Sequence, residues 1–185
     1  IYYVLGENLK SVARSPHLDY FRANGIEVLY LVDPIDGFMT SMLREYEGTP
    51  LKNVDDAGLD LPKSDDPKDD AKPSVPQDDF ERLVERFKTV LGDQVTDVRE
   101  SKQLVSSPCR LVSPEDSFDR DLQRIRRLTE QDYALPRKLL ELNRRHPLIA
   151  NLAQILAKSA SDNIVDATIS QLFDNALLLE GISPN

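Results

Sequence analysis

An α/β organisation at the start of the chain, α+β over its whole length, follows from three features. Two apolar strand-like runs bracket a helix within the first 32 residues, a proline-broken acidic stretch interrupts the chain near residues 55–79, and two long apolar helices close it. With 185 residues, 40% of them hydrophobic and 30% charged, the chain is long enough for one domain or two small ones with sizeable cores.

Residues 1–5 (IYYVL) end at Gly6, and residues 26–32 (IEVLYLV) form a second, nearly continuous run, the pattern of strands covered on both faces. Between them Asn8 can cap a helix carrying Leu9, Val12 and Ala13. It breaks at Ser15-Pro16 and resumes through Leu18, Tyr20 and Phe21 to a stop at Asn24-Gly25. Strand, helix, strand in this length implies a right-handed parallel unit. Asp33-Pro34-Ile35-Asp36 then supplies an N-cap, a first-turn proline and a first-turn acid. Met39, Met42, Leu43 and Tyr46 follow at i, i+3, i+4 and i+7, Gly48 closes that helix, and residues 49–54 read as a third strand. Neither turn after a strand has the glycines that wrap backbone N–H groups around a phosphate, so both read as structural turns.

Residues 55–79 hold nine Asp against three Lys, a net of −6 within the chain's −9, and Pro62, Pro67, Pro73 and Pro76 break any regular element. Such a stretch is expected to be a solvated linker, and it offers no fixed geometry for a metal or an acid–base pair. The division predicted is residues 1–61, a linker over 62–78, and a second domain over 79–185. In that second domain Phe80, Leu83, Val84, Phe87, Val90 and Leu91 fall at helical spacing before Gly92, and strands are predicted over 95–100, 108–112 and 137–142. Residues 117–129 read as an amphipathic, basic helix, with Phe118, Leu122, Ile125 and Leu128 on one side and four arginines on the others.

The closing hairpin carries more apolar surface than one partner helix can cover. Leu148, Leu152, Ile155 and Leu156 share a face of a helix that opens at Pro147 and ends near Ser159. After Ser161 and Asp162, Val165, Ile169, Leu172, Phe173 and Ala176 form one stripe of a second helix, while Ile164, Leu177, Leu178 and Leu179 lie outside it, with Gly181 as the C-terminal stop. Each buried large aliphatic side chain is worth roughly 1.5 to 3 kcal/mol, so leaving several wet is costly. A second copy of the chain is the simplest cover, giving a four-helix interface; an ordinary core hairpin beneath the sheet is the alternative.

Chemistry is sparse. The net charge of −9 argues against broad binding of nucleic acid, and no run of eighteen apolar residues is present to span a membrane. His17 and His146 have no second ligand or acid at a telling spacing, and Cys109 has no neighbouring His to activate it, so it reads as a packed thiol. The single cysteine fits a reducing compartment. No nucleophile, base and orienting acid assemble into an enzyme site. The chain opens at Ile1 inside a strand-like run, as a piece of a longer protein would.

Several strings in order carry a resemblance: RESKQLVSSPCRLV at 99–112, SFDRDLQRI at 117–125, LNRRHPLI at 142–149, LFDNALLLEGI at 172–182, and the opening block through Gly48. Together they resemble the ninety-kilodalton heat-shock chaperones of the bacterial HtpG type, over essentially everything but the linker. The resemblance implies that residues 1–61 are the last α/β subdomain of that family's middle domain and that 79–185 are its C-terminal dimerisation domain. It implies a homodimer formed through Leu152, Ile155, Leu156, Ile164, Ile169, Leu172, Phe173, Leu177 and Leu178, and contact with non-native client proteins through Phe118, Leu122, Ile125 and Leu128. The family's ATP and Mg²⁺ site and its catalytic arginine lie in parts that this chain does not match, so no cofactor and no hydrolysis are expected here. A passive dimerisation module is the competing reading. Three departures stand out: the linker is unusually rich in proline, the chain ends without the acidic EEVD-type tail, and the 117–129 helix lacks the Met or Trp common in relatives. The second departure favours a bacterial cytoplasmic or an organellar member, or a truncated chain.

Overall fold

The computed structural model describes residues 1–56, 58, 59, 61, 74–113, 137–158 and 163–183. The predicted client helix with Phe118, Leu122, Ile125 and Leu128, most of the acidic linker, and the capping pair Ser161 and Asp162 lie outside the described residues.

The first unit is a parallel sheet with strand β1 (Tyr2–Leu5) in the middle, β2 (Leu29–Leu31) on one side and β5 (Lys52–Asn53) on the other. Tyr3 stands opposite both Leu29 and Asn53. The crossover from β1 to β2 begins as the sequence predicts, with the Asn8 side chain accepting the Ser11 N–H at 2.9 Å at the start of α1 (Leu9–Val12). A 3₁₀ turn, Pro16–Leu18, is opened by the Ser15 hydroxyl accepting the His17 N–H and leads into α2 (Asp19–Ala23). Val4, Val12, Leu18, Tyr20, Phe21 and Val54 make the core, with the Tyr2 ring edge-on to Phe21 at 4.9 Å between centroids.

Two expectations for this unit are corrected. The run 26–32 is not a strand covered on both faces: β2 is three residues long, lies at the sheet edge, and leaves Leu29 and Tyr30 in solvent. The helix expected to continue through Tyr46 stops earlier, as α3 (Asp36–Met42). Glu45–Tyr46 (β3) instead folds back on Thr49–Pro50 (β4) through Glu47 and Gly48, both at positive φ, the backbone of a two-residue hairpin. Tyr46 is thus a strand residue.

The second unit is organised around α4 (Gln77–Leu91), whose Phe80, Leu83, Phe87 and Leu91 are buried. Strands β6 (Val95–Glu100), β7 (Cys109–Val112) and β8 (Lys138–Leu142) follow with β8 in the centre, parallel to β6 and antiparallel to β7. The closing helices α5 (Pro147–Lys158) and α6 (Asn163–Leu179) match the predicted hairpin. Their stripes, however, pack chiefly on α4 and the sheet rather than on each other. Four of the residues assigned to the dimer face, Leu152, Ile169, Leu172 and Phe173, are buried in the core of the single chain. Ile155, Leu156 and Leu177 are half-buried against that core.

Candidate functional site

What α6 leaves for a partner is narrower than the sequence suggests. Ile164 is 58% exposed, Leu178 57% and Leu179 44%. Ile164, Gln171 and Leu178 are seven residues apart, so they run down one side of the helix, away from the buried stripe. Gln171 and Asn175 on that side are joined by a 3.1 Å hydrogen bond.

A second apolar strip was not predicted as a surface at all. Ile35, Phe38, Met39 and Met42 fall at i, i+3, i+4 and i+7 along α3 and are all exposed, Met42 at 87%. The helical period was legible, but it reports only that one side is apolar, and here the side facing inward carries Gly37 and Thr40 instead. The strip thus leaves two thioethers, an aromatic ring and an isoleucine in water.

The two units meet at a charged seam that no local pattern reveals. His17, 3% exposed, has Nε2 2.8 Å from Glu180 Oε1 and 3.6 Å from Asp55 Oδ1. Lys138 Nζ lies 2.6 Å from Glu180 Oε2 and 3.5 Å from Asp55 Oδ2, and the Ser113 hydroxyl donates to Asp55 at 3.1 Å. Burial alone would lower the Lys138 pKa, but the charges of Asp55 and Glu180 outweigh it and hold the ammonium above its ordinary value. Burial alone would raise the Glu180 carboxyl, yet Lys138 and His17 pull it well below the usual range. Nearby, Asp19 at the start of α2 accepts the N–H groups of Ser106 at 3.0 Å and Ser107 at 2.7 Å and the Ser106 hydroxyl at 3.0 Å, while Gln103 Nε2 donates to the Leu59 carbonyl at 3.1 Å. Asp55, assigned to the solvated linker, is therefore a structural residue of the seam. His17 is not isolated either: its acid lies 163 residues away.

Within the second unit one carboxylate ties the three strands. Glu141 on β8 accepts from Arg99 on β6 at 2.9 Å, from Arg110 on β7 at 2.8 Å and from the Ser101 hydroxyl at 2.9 Å. Burial would raise its pKa, but the Arg110 charge and these hydrogen bonds keep it lowered. Cys109 faces the core, its thiol directed at the Leu172 carbonyl at 3.8 Å, and burial pushes its pKa up to about 12, so it is not poised as a nucleophile. Among the described residues no group of three or more His, Cys, Asp and Glu could hold a metal, and no helix is long and apolar enough to cross a membrane. The seam cluster holds the two units together and the Glu141 cluster ties one sheet, while apolar side chains on α3 and α6 stay exposed.

Comparison with known proteins identifies the family. A family model described as "Hsp90 protein" matches residues 1–185. Similar curated relatives are the "Chaperone protein HtpG" of Chlorobium phaeovibrioides, 36% identical over 181 residues, and that of Chlorobaculum tepidum, 39% identical over 192. The HtpG of Nitratidesulfovibrio vulgaris is 38% identical over 186 residues. Each alignment covers 98% of this chain but only 28 to 29% of the relative, so the chain spans less than a third of the length of these proteins. A match across every residue, with relatives well above 30% identity over nearly the whole chain, places it in the Hsp90 family.

Proposed function

We propose that this chain is the dimerisation and client-contact portion of a molecular chaperone, acting as a homodimer on non-native proteins. The observation that carries the reading is apolar side chains left in water outside the two buried cores: Ile164, Leu178 and Leu179 on α6 and the Ile35, Phe38, Met39 and Met42 strip on α3. In this reading α6 meets its copy in a second chain, with the half-buried Ile155, Leu156 and Leu177 at the rim. Covering these half-exposed groups contributes about half of the roughly 1.5 to 3 kcal/mol that full burial of a large aliphatic side chain is worth, summed over both copies. The α3 strip, joined by Phe118, Leu122, Ile125 and Leu128, takes exposed apolar segments of a client. Two copies in one dimer raise the effective concentration of such weak sites. The relatives carry the name chaperone protein, which supports the reading.

In the same proposal residues 1–61 belong to the end of a middle domain, 62–78 link it to a dimerisation domain at 79–185, and the parent works in the cytoplasm of a bacterium with its ATP site elsewhere. The test is paired. Sedimentation over a dilution series should give a dimer for the parent and a folded monomer for Leu178→Asp; a parent that stays monomeric at tens of micromolar, roughly, ends the dimer reading. Phe38→Ser with Met42→Ser, and separately Phe118→Ser with Leu122→Ser, should weaken suppression of client aggregation with the melting temperature unchanged. Full suppression by both double variants leaves a passive dimerisation module.

A further inference from the structure

We infer that the seam between the two units and the dimer face are coupled through the last turn of α6, so that docking of residues 1–56 strengthens association of two copies and association strengthens docking. The inference rests on the proposal that α6 forms the dimer face. Three observations carry it.

First, the apolar residues offered to a partner and the residue gripped by the first unit are neighbours. Leu178 and Leu179 are two of the three exposed apolar groups on α6, and Glu180, the next residue, is held across the seam by His17 at 2.8 Å. Second, the turn beyond is held from the same side. The Ile182 N–H bonds to the Leu177 carbonyl at 2.9 Å and the Gly181 N–H to that of Leu178 at 3.0 Å, with Gly181 at φ +70°, closing the helix in a Schellman turn. Glu7 of the first unit packs so closely on that turn that a Cβ at Gly181 would stand 2.7 Å from its Oε1. Helix ends fray unless held, and contacts from the first unit favour the ordered turn. An ordered turn is also what fixes the directions of the Leu178 and Leu179 side chains.

Third, the seam is not over-stabilised. Among the described residues His17 Nδ1, Asp55 Oδ1 and Gln103 Oε1, all buried at the seam, have no hydrogen-bond partner. Such groups lose their solvation on docking without a hydrogen bond in return, which subtracts from the stability of the docked state. Lys138, on β8 of the second unit, stays with Glu180 when the seam opens; His17, Asp55 and Glu7 do not. Both sites thus bias one element, which is the requirement for coupling, and linkage makes it reciprocal.

Two variants test it from opposite ends. Glu180→Gln removes the charge at the end of α6 and keeps the shape. Asp19→Asn loosens the seam at the 105–107 loop, where Asp19 makes its hydrogen bonds, without touching α6. Spin labels on Lys10→Cys and Arg82→Cys, both exposed, report the seam as a distance distribution, with labelled protein diluted into unlabelled so that each dimer carries one labelled copy; the buried Cys109 stays unlabelled. Circular dichroism confirms that each variant is folded. Both variants should broaden the distribution and raise the dimer dissociation constant about tenfold, the middle of the usual range for coupled sites. The parent's distribution should broaden on dilution below its dissociation constant. If either variant opens the seam with the dissociation constant unchanged, the coupling is refuted while the dimer reading stands. If neither broadens the distribution, the cluster does not hold the seam and the inference fails. A parent that never dimerises removes the α6 interface and the coupling together.

Discussion

Replacing Glu141 by Gln is the sharpest perturbation of the second unit, because the loss is worked from one buried carboxylate. Glu141 is 4% exposed and Arg110 only 1%, and among the described residues Arg110 Nη1 has no hydrogen-bond partner, so Glu141 supplies the counter-charge that makes burying the guanidinium tolerable. Removing one member of such a pair costs about 3–5 kcal/mol, since the other is left charged and dry. Arg99 softens the loss little: it is 38% exposed and can return to water. Urea unfolding followed by circular dichroism should therefore place Glu141→Gln about 3 kcal/mol or more below the parent. Adding Arg110→Met should recover most of that, bringing the double variant to within about 1–2 kcal/mol of the parent, because an apolar side chain of similar length needs no counter-charge. The sign with pH follows from the lowered Glu141 pKa. Its folded value lies below the unfolded carboxylate, so its contribution is present above about pH 4.5 and is lost as pH falls through the folded value. Glu141→Gln should accordingly lose less stability than the parent on acidification. A cost under about 1 kcal/mol for the single variant, or a double variant less stable than the single, would refute the counter-charge account.

Two further outcomes follow from local geometry. Cys109, buried and with its thiol pushed up to about 12, should react with a maleimide at pH 8 only as fast as the protein unfolds, so its labelling rate should rise with urea in step with the unfolding curve; fast labelling of the native protein would contradict the burial. Gly181→Ala should lower stability by about 1–2 kcal/mol, because the left-handed backbone opposes a Cβ, and an unchanged melting temperature would show that the turn is not held as described.

The parts of this protein legible in the sequence are those decided within a few residues. The stop of α4, the bounds of α5 and α6, the capped entry at Asn8, the parallel strand-helix-strand start and the three strands of the second sheet all follow from periodicity, caps and stops, which act over one or two turns of chain; the start of α4 at Gln77 falls inside the stretch read as linker. The ordered strings at 99–112, 142–149 and 172–182 were likewise enough to point to the family. The hairpin at 45–50 escaped because Glu47-Gly48 lacks the Asn or Asp that usually marks two successive residues at positive φ. What covers each apolar face was undetermined, and there the tertiary structure decided. It sent Leu152, Ile169, Leu172 and Phe173 into the chain's own core and left Ile164, Leu178 and the α3 strip in water. A hydrophobic period states which side of a helix avoids solvent, not which neighbour removes it from solvent. The seam was hidden for a related reason: His17 and Glu180, or Asp19 and Ser107, become partners only when two units dock, since an ion pair depends on distance in space and leaves no period in the chain.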